Sequence, residues 1–212
     1  MDICCDEKAE ELSALRDKHR NVLVTVLVIN AVLFVVEAAA GLLANSTALL
    51  ADSLDMMGDS LVYGFSLYVL WRNAAWKAKA AFLKGVIMAV FGAGVLIQAF
   101  YKATAGALPV AETMGVIGLL VLLGNGLCCF LLSRHRSDDL NMRSTWLCSR
   151  NDIIANLSVL VAALGVKIFD ASWPDILVGA SIAALFVKSA FTVLRESFVE
   201  LRLLRSQSTS AA

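Results

Sequence analysis

Apolar residues in this chain come in long unbroken runs, not in the alternation of a half-buried strand or the one-faced stripe of a surface helix. Six runs stand out, at approximately Asn21–Ala44, Ala48–Leu70, Phe82–Tyr101, Glu112–Leu132, Thr145–Ile168 and Trp173–Leu194. Each is close to the roughly 20 residues that a helix needs to cross a bilayer. Strands of a membrane barrel are shorter, about 10 residues, and irregular backbone finds no hydrogen-bond partner in lipid. The pattern predicts an all-α polytopic membrane protein, a six-transmembrane-helix bundle. Its polar flanks divide the chain into an N-terminal segment 1–20, a transmembrane domain 21–196 and a short tail 197–212, with no linker between helices.

The breaker residues agree. Proline occurs only at Pro109, in a loop, and at Pro174, at the start of the sixth run, where its missing N–H costs nothing. Glycine is frequent inside the runs, at Gly85, Gly92, Gly94, Gly115, Gly118, Gly124 and Gly126. Small residues let membrane helices approach closely, and packing is the reading taken for them.

Composition strengthens the class. With 212 residues, 59% of them hydrophobic, and a mean hydropathy of +0.75, the chain is too apolar for a water-soluble globule. The formal net charge of zero hides a strong sidedness. Lys8, Arg16, Lys18 and Arg20 precede the first run; Arg72, Lys77, Lys79 and Lys84 surround the second connection. Arg134, Arg136, Arg143 and Arg150 surround the fourth, and Arg195, Arg202 and Arg205 follow the sixth run. The other three connections hold only Lys102 and Lys167. The positive-inside rule then puts both termini in the cytoplasm, and a bacterial inner membrane is the expected location. These basic loops read as topology signals and not as nucleic-acid sites. Met1–Arg20 lacks the pattern of a cleavable signal peptide. Five cysteines, an odd number placed on the cytoplasmic side or in the membrane, argue against a disulfide framework.

Chemistry enters with the polar residues that interrupt the runs. Asp55 and Asp59 stand four apart in the second run, and Cys148 and Asp152 repeat that spacing in the fifth. Residues at i and i+4 share a helix face, so two such helices brought together offer four ligands. At 1.5 Å per residue, Asp55 lies about 12 Å and Asp59 about 18 Å below the outer boundary, and Asp152 roughly 10 Å above the inner one. If the helices touch, Asp55 levels with Asp152 and Asp59 with Cys148. Carboxylates at such depth are costly unless something positive offsets them. No Lys or Arg stands at matching depth to neutralise them except, as a candidate, Lys188 in the sixth run, so a divalent metal ion satisfies the charges better than helix–helix hydrogen bonds between protonated carboxyls. Three carboxylates and a thiolate suit zinc, with a shift toward softer ions such as cadmium. Cys148 as a small buried hydrophobe, with Asn156 or water completing the shell, stays open.

These residues carry a family resemblance. Residues Asn30–Arg72 are similar to the first two spans of the cation diffusion facilitators, whose second helix bears an H/D-x-x-x-D metal pair, here Asp55 and Asp59. Residues Leu140–Glu196 resemble that family's fifth and sixth spans, including its second pair, with Cys148 standing where the family usually has His or Asp. The resemblance implies a transporter that exchanges a cytoplasmic divalent metal for protons by rocking around a midplane site. The metal is substrate, not cofactor, and metal resistance is the physiological role that follows. The chain ends at Ala212, so a short form without the family's cytoplasmic metal-binding and dimerisation domain is expected; a homodimer stays open.

Other polar positions rank lower. Asp52 is an outward-side partner or a helix-start acid, Glu37 an interhelical bond more than a metal or proton group, and Asn45, Asn125 and Asn156 supporting or packing groups. Asp175 is an acid in a first helical turn, stabilising by itself. Cys4 and Cys5 with Asp2, Asp6 and Glu7 form an acidic tail or a soft-metal capture point, and His19, His135, Asp138 and Asp139 lack spaced partners. Cys128 and Cys129 read as packing. Two other classes remain: a membrane metal sensor or partner without flux, and an intramembrane aspartyl enzyme, which lacks any supporting motif.

Overall fold

The computed structural model describes the backbone of residues 2–69, 74–133 and 140–210, and most side chains within 21–64, 76–133 and 152–203. All regular structure among the described residues is helical: α1 (Asp2–Leu43), α2 (Thr47–Val69), α3 (Ala74–Ala105), α4 (Ala111–Ser133), α5 (Leu140–Phe169) and α6 (Trp173–Ser210). Five are long and apolar enough to cross a membrane, over Val24–Leu43, Ala78–Ala105, Ala111–Ser133, Asp152–Phe169 and Trp173–Leu203. The exception is α2, the helix that carries Asp52, Asp55 and Asp59. Helices α1 and α6 run well past their apolar stretches, through the polar segment from Asp2 and on to Ser210.

Large apolar side chains are turned outward over the bundle: Leu43, Phe100, Ile97 and Val161 are all strongly exposed. A soluble monomer does not present such a surface. In a bilayer it faces lipid, which makes the chain an integral membrane protein.

Inside, α2 is central and packs on α1, α3, α5 and α6, while α4 packs on α1 and α5. One core cluster joins α2, α3 and α6 through Leu50, Leu54, Met88, Val95, Phe186 and Ala190. Another joins the end of α1, the start of α2, α4 and α5 through Ala44, Leu49, Met114, Val159 and Ala162. The packing reading of glycine holds where helices meet. A Cβ at Gly92 would stand 2.6 Å from Val187, and one at Gly124 2.6 Å from Leu33. At Gly94, Gly115 and Gly126 nothing lies within 4 Å, so those glycines serve no close approach here.

The turn between α1 and α2 is built by short-range chemistry. Asn45 adopts a left-handed φ of 53°, a conformation that Asn tolerates, and the Ser46 N–H reaches back to the Gly41 carbonyl at 2.9 Å, closing the helix end. Ser46 then caps α2, its Oγ accepting from the Leu49 N–H at 3.1 Å. The α3–α4 connection is tied to this turn by Val110 N–H donating to the Ala44 carbonyl at 3.0 Å.

Candidate functional site

The first turn of α2 is held from outside its own sequence. Asp175, in the first turn of α6, accepts from Ser46 Oγ at 2.6 Å, from the Thr47 N–H at 2.9 Å and from the Ala48 N–H at 3.0 Å. Lys102, from the last turn of α3, donates to Asp175 at 2.9 Å and also to the Asn45 carbonyl. Both side chains are buried, with exposures of 2% and 0%. Asp175 was expected to stabilise its own helix start and Lys102 to sit in a loop. Instead, the two form a buried ion pair that ties α3 and α6 to the α1–α2 turn. Lys188 is therefore not the one candidate cation within the bundle: Lys102 is fully buried, and Lys84 is nearly so.

One to two turns further along α2 lies a second polar junction. Asn156 of α5 donates through Nδ2 to Asp52 at 2.6 Å, and its Oδ1 accepts from Asn125 of α4 at 2.9 Å. The carboxyl of Glu37, from α1, lies within hydrogen-bonding reach of Asp52. Glu37, Asp52, Asn125 and Asn156 are all buried, so four helices meet at a sealed polar centre. The sequence ranked these as lesser partners; the fold makes them one network.

This junction sets the register of the two helices that carry the spaced pairs. Helix α6 begins where α2 begins, because Asp175 caps α2. Helix α5 ends at that same level, with the Phe169 and Trp173 rings 5.3 Å apart and tilted by 42°, so α2 and α5 run antiparallel. With Asp52 opposite Asn156, a step of one turn along each helix brings Asp55 level with Asp152, and a second brings Asp59 level with Cys148. Asp59 is buried, whereas Asp55 and Asp152 are half-buried, and each of the three takes part in a polar or electrostatic interaction. Among the described residues, no three His, Cys, Asp or Glu side chains converge closely enough to hold an ion in this conformation. The Cys148 side chain lies outside the described residues, although its backbone belongs to α5.

Cys128 is buried and accepts a weak hydrogen bond from Asn30 at 3.8 Å, which fits a packing role. The side chains of Cys4, Cys5 and His19, and residues His135, Asp138 and Asp139, lie outside the described residues.

The chain is thus an α-helical membrane bundle with carboxylates and amides buried at its centre. The model of the cation efflux transmembrane domain matches residues 23–202, and the chain belongs to that family. Its members are transporters and not enzymes, and the match makes this chain a metal cation transporter. No curated protein matches the chain.

Proposed function

We propose that the chain is a six-span secondary carrier that exports a divalent heavy-metal cation from the cytoplasm in exchange for protons, with zinc the first candidate and cadmium the second. Helix α2 is the sixth crossing. Its three aspartates reduce its mean hydropathy, and Asp52 is held inside the bundle by Asn156. The observation that carries this reading is the Asp52–Asn156 bond, because the register it imposes supports a shared site of Asp55, Asp59, Cys148 and Asp152. Three carboxylates and a thiolate suit zinc and bring cadmium within range.

Exchange follows from the ligands. Carboxylates open to the cytoplasm bind the ion; once the bundle rocks outward, protons compete for the same oxygens and metal affinity falls. Both termini and the basic connections lie in the cytoplasm of a bacterial inner membrane in this reading.

Metal-driven proton movement in proteoliposomes tests it, with zinc, cadmium, cobalt and manganese offered to the wild type, Asp55→Asn and Cys148→His. Flux lost in Asp55→Asn and an ion order altered in Cys148→His are the expected results. An intact, folded preparation that moves protons with none of the four ions would sink the exchanger.

A further inference from the structure

We propose that Glu37 and Asp52 form a second cation-holding position, one helical turn outward of Asp55, which the transported divalent ion occupies on its way out. The inference rests on the carrier reading above and assigns a station that the two spaced pairs do not include.

Three observations converge on it. First, the Glu37 and Asp52 side chains are both 0% exposed, so water solvates neither charge. Second, no N–H or hydroxyl group donates to either oxygen of Glu37 or to Oδ1 of Asp52, and the two carboxyls reach each other. Three buried carboxylate oxygens thus lack a positive partner, and each carries a desolvation penalty. Third, Asp52 is oriented and not merely buried. Its Oδ2 is taken by Asn156 Nδ2 at 2.6 Å, and Asn156 is itself fixed by Asn125 at 2.9 Å. That chain of amides fixes the Asp52 carboxyl through Oδ2 and leaves Oδ1 without a donor.

The donor set consists of carboxylate oxygens, without sulfur or imidazole. Such a set binds divalent ions less selectively and more weakly than one containing a thiolate, as suits a position from which the ion must leave. Asp55 stands one turn of α2 away, about 5 Å along the axis. Two divalent ions that close would repel strongly, so the positions are occupied in succession. The ion passes from Asp55 to Glu37 and Asp52 as the bundle opens outward, and the approach of Glu37 from α1 supplies what α2 and α5 alone cannot.

The test is Co²⁺ binding to the full chain in detergent micelles, by equilibrium dialysis together with X-ray absorption at the cobalt edge. The background is Asp59→Asn/Cys148→Ala, which removes the inner level of the spaced pairs. Expected there is residual Co²⁺ with an all-oxygen first shell, weakened at least tenfold by Glu37→Gln and likewise by Asp52→Asn. Both changes keep shape and hydrogen-bonding capacity, and thermal unfolding of each reports whether the fold survives; either folded variant decides the question. A carboxyl pair that merely shares a structural proton would be mimicked by Gln or Asn. Unchanged affinity in the folded variants overturns the proposal, as does a complete absence of Co²⁺ from the background chain. Failure of exchange appears elsewhere, as wild-type vesicles that bind Co²⁺ yet move no protons.

Discussion

Lys102 Nζ lies 2.9 Å from Asp175 Oδ2 inside a bundle that excludes water from both. The pair is separated by most of the second half of the chain, yet Asp175 also supplies the cap for α2. Removing one partner of a buried, hydrogen-bonded ion pair costs about 3–5 kcal/mol, because the other charge is left uncompensated. Lys102→Met and Asp175→Leu are each expected to destabilise the folded chain by that order, and the double variant by less than the two losses together. Chemical unfolding in micelles measures the cycle. Additive losses would show that the two side chains act independently.

Gly179 gives a sharper packing test. A Cβ there would stand 2.6 Å from the Thr47 backbone, which cannot retreat as a flexible side chain can. Gly179→Ala should therefore cost about 1–3 kcal/mol by forcing α6 away from α2. Gly94→Ala meets nothing within 4 Å and, inside α3, should be neutral to stabilising by up to about 1 kcal/mol. Thermal unfolding of the two variants side by side separates backbone contact from helix propensity; equal shifts would remove the contact argument.

The elements were legible because lipid imposes a single rule, that apolar runs of sufficient length become helices. The expected Glu112–Leu132 falls within α4, and Pro109 and Pro174 sit in a loop and in a first turn, as read. The boundaries of α1 and α6 were not legible, since a helix does not stop where the membrane does and the sequence lacks a breaker on either side. Lys102 looked like a loop residue because it lies just beyond an apolar run. Its burial depends on Asp175 arriving from α6, a meeting that local pattern cannot report. The i, i+4 spacing of Asp55 with Asp59 and of Cys148 with Asp152 was visible, and so was the level they share if α2 meets α5. The contact that sets this level, Asp52 to Asn156, was visible only as two separate polar residues.

The pair Lys167–Glu112 is the contrasting case. It closes at 3.3 Å, but the side chains are 66% and 70% exposed, and an exposed pair gains little over its separate hydration. Lys167→Met should leave the unfolding midpoint unchanged within error at both low and high salt. A clear loss confined to low salt would reveal a contribution that the exposure argues against.

Asn156 links stability to transport. Its replacement by Leu leaves Asp52 Oδ2 and Asn125 Nδ2 without partners, whereas Asn125→Leu orphans only Asn156 Oδ1. Each buried group so stranded costs about 1–3 kcal/mol, so Asn156→Leu is expected to be the more destabilising change. If the Asp52–Asn156 bond holds α2 and α5 in register, Asn156→Leu should also lower metal-driven proton flux far more than Asn125→Leu does, even at temperatures where both remain folded. Asn156→Asp separates the two roles, because a carboxyl there repels Asp52 unless protonated and so disturbs the register without removing side-chain volume. Flux in proteoliposomes that followed stability alone, with the two Leu variants equal once corrected for folded protein, would show that the bond supports the fold but not the alignment of the acidic pairs.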